Sequence, residues 1–224
     1  MAKRGPKPRE LVQIKWSSNF AYAMGLLATD GCLSSDGLLI DLTSKDREQL
    51  LNFMKCLKIK IKIGKKFSGF GIEYLRVQFK NRLFYDFLLS IGFTPAKSKT
   101  IKKIDIPDKY FFDFLRGCFD GDGYTYSYWD PRWRSSFMLY TGFVSASEPF
   151  LKWLQDEIEK GLCIKGRITK TKKKSWYYQL KYAKKDSQKI LKKIYHGKSK
   201  VFLKRKKLKV DTALAIIKGS LGNY

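Results

Sequence analysis

The sequence contains a single histidine, His196, so no cluster of imidazoles can build a metal centre or a proton shuttle. Its four cysteines, at 32, 56, 118 and 163, lack the paired spacing of a zinc site, and three lie in apolar runs. They read as reduced core residues of an intracellular protein. Acidic residues are also scarce: 20 Asp and Glu stand against 46 Lys and Arg, a formal charge of +26. Self-repulsion of that size calls for a polyanionic partner. The basic residues are scattered over many segments instead of lining one amphipathic helix, which favours nucleic acid over an anionic membrane surface. No apolar run reaches the roughly 18 residues of a membrane span, and Phe20–Ala28 is too short and too interrupted for a signal-peptide core. A soluble protein of the cytoplasm, nucleoid or an organelle matrix is expected. With 44% hydrophobic and 15% aromatic residues, the 224-residue chain can bury a sizeable core, as one domain or two small fused ones.

One stretch occurs twice, as AMGLLATDG at 23–31 and as LRGCFDGDG at 115–123. Each is a helix-like apolar run ending in Asp-Gly, with a second glycine five residues before the Asp: Gly25 before Asp30, Gly117 before Asp122. A glycine inside a helix costs about 1 kcal/mol relative to alanine, so its presence at the same offset in both copies points to close packing against it. The natural partner is the other copy. Helices crossing at these glycines would bring Asp30 and Asp122 side by side, and Gly31 and Gly123 stand where a left-handed residue would stop each helix.

Around each copy the periodicities read α-β-β-α-β-β-α. Ser17 or Ser18 is a candidate N-cap for a helix over 19–29, and Pro107-Asp108 precedes one over 109–121. Short strands flank Asp36-Gly37 in the first half, and a longer hairpin flanks Asp130-Pro131 in the second. Amphipathic helices follow, using Leu50, Leu51, Phe53, Met54 and Leu57 or Phe150, Leu151, Leu154 and Ile158. A second strand pair falls at roughly 61–67 with 72–79 and 165–170 with 176–182, then one more helix in each half. Asp30 and Asp122 are 92 positions apart, whereas Ser44 and Ser145, Leu50 and Leu151, and Lys97 and Lys198 are each 101 apart. Nine extra residues therefore belong to the second half's first hairpin. The expected architecture is α+β, two pseudo-symmetric αββαββα repeats with the motif helices at the centre and a four-stranded antiparallel sheet on either side. Its segments are a basic arm at 1–16, a first repeat at 17–100, a linker at 101–108, a second repeat at 109–208 and a tail at 209–224.

The two stretches match the LAGLIDADG motif position for position, and the chain resembles a single-chain, two-repeat LAGLIDADG homing endonuclease. Gly25 and Gly117 take the motif's first glycine and Asp30 and Asp122 its acidic position, while Ala23, Met24 and Arg116 depart from it. The resemblance implies that the sheets form a saddle over DNA and that Asp30 and Asp122, with Gly31 and Gly123, hold divalent metal. It also implies a pocket lysine in each half, read here as Lys97 and Lys198 with Lys99 and Lys200 as fallback choices.

Phosphodiester hydrolysis needs an activated water, neutralised phosphorane charge and a stabilised leaving oxygen, all of which divalent metal supplies. Two adjacent carboxylates would repel as bare anions, and oxygen-only donors favour Mg²⁺ over Zn²⁺. Asp120, opposite Ala28 in the first motif, reads as structural, and DGDG fails as an EF-hand loop because Tyr124 stands where a third oxygen ligand belongs. On the strands, Arg76, Gln78 and Lys80 alternate with apolar neighbours, as do Tyr177, Gln179 and Lys181, making these the DNA-facing candidates. Lys45, and Arg132 and Arg134 near the long hairpin's tip, join them. On 137–145 both alternating sets look apolar and the face stays unassigned. The basic runs Lys102-Lys103, Lys172–Lys174 and Lys204–Lys207 read as backbone contacts or solvated loops. The expected partner is double-stranded DNA with a long, asymmetric site, bound by a monomer. The alternative is an RNA-splicing maturase or a catalytically inactive nucleic-acid-binding protein of the same fold.

Overall fold

The computed structural model describes residues 11–133, 136–172, 176–197 and 200–221. Chain order in the first half is α1 (Ser18–Asp30), β1 (Gly31–Leu33), β2 (Leu39–Ser44), α2 (Arg47–Leu57), β3 (Gly64–Phe67), β4 (Glu73–Lys80) and α3 (Arg82–Ser90). The second half repeats it as α4 (Phe111–Asp122), β5 (Gly123–Trp129), β6 (Phe137–Ser145), α5 (Glu148–Leu162), β7 (Arg167–Lys172), β8 (Trp176–Tyr182) and α6 (Lys184–Ile194), then adds α7 (Lys204–Leu221). Two antiparallel four-stranded sheets result, ordered β1-β2-β4-β3 and β5-β6-β8-β7. This is the α+β, two-repeat architecture that the periodicities predict.

Sequence dictates the local starts. Ser17 caps α1, its hydroxyl accepting from the Phe20 amide at 3.1 Å. The second motif helix differs from expectation: a 3₁₀ turn at Asp108–Tyr110 leads into it, and no side chain caps it. α1 is buried along almost its whole length because it lies between its own sheet and α4. The first β1–β2 hairpin spans Gly31–Ser44 and its counterpart Gly123–Ser145, so the nine-residue insertion is in the hairpin as predicted.

The 101-residue offset holds from β2 to β6 and from the start of α2 to that of α5, but not for the second strand pair. Asp41 faces Gln78 across the first sheet, whereas Gly142 faces Lys181 across the second. Val77 and Phe79 of β4 therefore correspond to Leu180 and Tyr182 of β8, an offset of 103. Core burial enforces this register: all four of these side chains point inward, and a one-residue slip would turn them to solvent.

Other expectations need correction. Residues 11–16 are not a free arm, since Val12 is buried and Trp16 packs edge-on against Phe20 and Phe87. The linker at 101–108 buries Ile101, Ile104 and Ile106, and the proposed boundary at 208/209 falls inside α7. Leu51 faces solvent at 47% exposure, its neighbours Leu50 and Phe53 taking the core face of α2. Only Cys56 and Cys118 are core cysteines. Cys32 lies on the outward side of β1 opposite Asp41, and Cys163 ends α5 in the left-handed region at φ 52°.

Candidate active site at the crossing of the motif helices

α1 and α4 cross backbone to backbone. A Cβ added to Gly25 would sit 2.8 Å from the Cys118 amide nitrogen and 2.8 Å from the Gly117 Cα; one added to Gly117 would sit 2.9 Å from the Gly25 Cα. Gly121, a position held by Thr29 in the first motif, adds a third close approach, its would-be Cβ lying 2.7 Å from Asp30 Oδ2. The crossing thus continues to the carboxylate ends. Gly31 and Gly123 do not adopt the left-handed conformation predicted for them; both are extended, at φ −80° and −76°. They are glycines because the chain turns sharply against its own helix, where a Cβ would meet the backbone of Leu27 or Phe119.

Asp30 and Asp122 end the two helices close enough for the Asp30 charge to act on Asp122. Gln49 Nε2 donates to Asp30 Oδ2 at 2.5 Å, and the Ser44 hydroxyl donates to Gln49 Oε1 at 2.8 Å, fixing the amide. Burial raises the Asp30 pKa, while this hydrogen bond and the charges of Lys206 and Lys97 lower it. Asp122 makes no hydrogen bond among the described residues, Phe150 standing where Gln49 does in the first half. Although Asp122 is exposed as a residue, the protein around its carboxyl is dense enough that burial, and then the Asp30 charge, push its pKa up to about 6.

Two lysines, one buried and one half-buried, complete the site. Lys97, 5% exposed, donates to the carbonyls of Ala28 and Thr29, both at 2.8 Å. Lys206, from the first turn of α7, donates to the carbonyls of Phe119, Gly121 and Gly123 at 2.6, 2.8 and 2.7 Å. Each ammonium thus sits at the negative end of a motif helix. Burial lowers both pKa values, that of Lys206 to about 8, against the opposing pull of the carboxylates. The run Lys204–Lys207 is therefore not a solvated loop, and Lys206 is the residue that sequence reasoning missed. Its signal is the spacing Leu203, Lys206, Val210, Ala213, Ile217, whose apolar members are all buried. Lys198 and Arg134 lie outside the described residues, and Lys99 and Lys200 are exposed.

Asp120 serves structure. Fully buried, it accepts from the hydroxyls of Tyr22 and Tyr195, both at 2.8 Å, and from the Leu203 amide at 2.7 Å. It thereby anchors the start of the helix that carries Lys206. His196 lies 3.6 Å from Asp113, in the buried Arg116 cluster on the far side of α4.

Of the strand candidates, Arg76, Gln78 and Lys80 share the outward side of β4 and Tyr177, Gln179 and Lys181 that of β8, opposite the buried Val77, Phe79 and Leu180. On β6 the inward set is Phe137, Leu139, Thr141 and Phe143, which leaves Met138, Tyr140 and Val144 outward. Lys45 is exposed, 5.3 Å above the Tyr74 ring. Arg132 is exposed and paired in bidentate fashion with Asp130, at 3.1 and 3.0 Å.

The donor set suits a hard cation. The described residues hold no group of three or more His, Cys, Asp or Glu placed to bind metal. The protein offers two carboxylates and nearby carbonyl oxygens, leaving the rest of a coordination shell to phosphate and water, the pattern typical of Mg²⁺. The raised pKa of Asp122 gives a test without turnover. Its folded value of about 6 exceeds the ordinary 3.8, so the folded chain holds the extra proton between those values, and ionisation removes stability as pH rises through that window. In chelator, Asp122→Asn should raise Tm at pH 7–8 by about 2–4 °C, roughly 1 kcal/mol after allowance for its open side, and by nothing near pH 4. Thermal scans across pH 4–8 check this; a pH-independent gain would contradict it.

No family model and no curated protein sequence matches the chain. Solved structures do match by fold. Full-length DUF199/WhiA from Thermatoga maritima shares 18% identity over 92% of this chain, TM-score 0.55, and this chain spans 63% of that protein's length. The homing endonuclease I-WcaI, solved bound to its DNA recognition sequence, shares 11% identity over 93% of this chain and 95% of its own, TM-score 0.58. I-DmoI, solved in complex with DNA and Ca, shares 13% identity over 81% of this chain and 91% of its own, TM-score 0.53. The chain has the two-repeat LAGLIDADG fold. No helix among the described residues is long and apolar enough to cross a membrane.

Proposed function

We propose that this protein is a site-specific endonuclease that cuts both strands of duplex DNA with Mg²⁺ bound between Asp30 and Asp122. The observation that carries the reading is the convergence of two carboxylates and two inward-facing lysines at one crossing of glycine-packed helices. A pure binding scaffold gains nothing from adjacent carboxylates facing a phosphate backbone, whereas cleavage needs them. Bound there, Mg²⁺ would supply an activated water and neutralise charge on the phosphoryl oxygens. Asp30 would hold its share of the cation in the orientation that Gln49 imposes, and Asp122 from the more open side. Lys97 and Lys206 keep positive charge beside the cleaved phosphate, with Lys198 the rival in the second half.

Incubating the protein with a randomised duplex library and Mg²⁺, then sequencing the ends, tests activity and target together. No cutting under any divalent metal, with tight duplex binding retained, would favour the second reading, a catalytically inactive nucleic-acid-binding protein or RNA maturase; the same fold in WhiA gives that reading its weight. The lysine assignment has its own test. Lys206→Met should slow cutting by about a hundredfold or more, the scale of one lost electrostatic stabiliser, and Lys198→Met by less than about threefold. The reverse order would return the role to Lys198.

The charge of +26 predicts how duplexes are held. If about eight phosphates are neutralised, log K should fall against log salt with a slope near −7. A salt titration giving a slope near zero would exclude duplex DNA as the principal partner.

A further inference from the structure

Matching rungs on the outward sides of the two sheets carry different chemistry. In the first sheet the outward rungs are Asp41 opposite Gln78 and Thr43 opposite Arg76. Asp41 Oδ2 lies 3.9 Å from the Arg76 guanidinium and 3.4 Å from Lys66 Nζ, so a carboxylate steadies the arginine from within the sheet. The Gln78 amide makes no hydrogen bond among the described residues and remains available. In the second sheet the corresponding rungs are Gly142 opposite Lys181 and Val144 opposite Gln179.

There the amide and the lysine of the central strands are already engaged. The Tyr124 hydroxyl donates to Gln179 Oε1 at 3.1 Å, and Gln179 Nε2 donates to the Tyr177 hydroxyl at 3.4 Å, so both ends of the amide are occupied. Lys181 Nζ rests 4.2 Å from the centre of the Tyr140 ring. Tyr128 stacks on Tyr140 at 6.5 Å and lies 5.2 Å from Tyr126, which is 54% exposed. The surface offered is a ladder of tyrosine rings flanked by Met138 and Val144.

In the major groove, Arg and Gln read purines by paired hydrogen bonds, whereas apolar groups recognise the 5-methyl of thymine. On the central strands of the second sheet the amide is engaged and the lysine is held over a ring, which leaves purine edges to Arg167 alone, at the edge of that face opposite Lys181. We propose that the target is chemically split: the first sheet reads purine hydrogen-bonding edges through Arg76 and Gln78, and the second reads a thymine-rich half-site through its tyrosine, valine and methionine surface. This inference rests on the reading of the protein as a duplex-DNA binder.

The test uses the full-length protein in chelator, where binding is read without cutting. Sites enriched from a randomised duplex library are resynthesised with deoxyuridine for thymidine in one half at a time. One half should lose about fourfold affinity per thymine, the worth of one buried methyl, and the other half nothing. Arg76→Ala should weaken guanine preference by roughly 5- to 150-fold at a position in the uracil-tolerant half only. Uracil tolerated in both halves, equal losses in both, or relaxation by Arg76→Ala in the uracil-sensitive half would each overturn the proposal while leaving the DNA-binding reading intact. Enrichment of no duplex at all would overturn both.

Discussion

Asp30→Asn and Asp122→Asn should each reduce Mg²⁺-dependent cutting of both strands by about a thousandfold or more, a loss of about 4 kcal/mol or more in barrier stabilisation. Asparagine keeps the shape and a polar group at the helix end but removes a charge that holds the cation. The carboxylates sit at the end of one continuous crossing, where Gly121 packs against Thr29 and Asp30, and the Asp30 charge adds to burial in raising the Asp122 pKa. Loss of either should therefore empty a shared site and leave no nickase. Affinity for duplex in chelator should hold or rise, since an anion facing phosphates has been removed. Supercoiled plasmid carrying the selected target separates the outcomes: nicked product from one variant means independent metal sites, and full cutting by both removes these residues from the mechanism.

Much of this centre was legible in the sequence because its physics is local or duplicated. A glycine at the same place in two apolar helices signals contact between them, and an Asp at each end then follows. The lysine of the second half was less legible. Lys206 sits in a run of basic residues whose overall character suggests solvent, and only the three- and four-residue spacing from Leu203 to Ile217 marks it as inward-facing. The extended backbone of Gly31 and Gly123 was not legible at all, because their need for hydrogen in place of Cβ comes from the turn against Leu27 and Phe119. The two-residue register change between β4 and β8 escaped for a related reason. Polar and apolar residues alternate on both strands, and alternation specifies a face without specifying which rung meets which. On β6 even the face was hidden, since the outward side carries tyrosine, methionine and valine. That ambiguity itself reflects the apolar surface that the second sheet presents.

Gly25→Ala and Gly117→Ala should be the most destabilising single-methyl additions in the chain. The new Cβ at position 25 would fall 2.8 Å from the Cys118 nitrogen and the Gly117 Cα, and that at position 117 would fall 3.0 Å from the Leu26 nitrogen, in every case against backbone that no rotamer change can clear. α1 and α4 must then separate, and every side chain packed along both helices loses contact distance. The gain of helix propensity is about 1 kcal/mol, whereas overpacking of a rigid core costs about 1–3 kcal/mol and more when backbone has to move. A net loss of about 2–3 kcal/mol would lower Tm by roughly 4–12 °C. Gly219→Ala provides the control: it lies in α7 with nothing within 4 Å of its would-be Cβ, so propensity alone acts and stability should rise by up to about 1 kcal/mol. Separation of the helices also parts Asp30 from Asp122, so the folded fraction of Gly25→Ala should cut DNA far more slowly at temperatures well below its Tm. A variant that melts with the parent, or that is destabilised yet cuts at the parental rate when folded, would show that the glycine crossing does not set the spacing of the carboxylates.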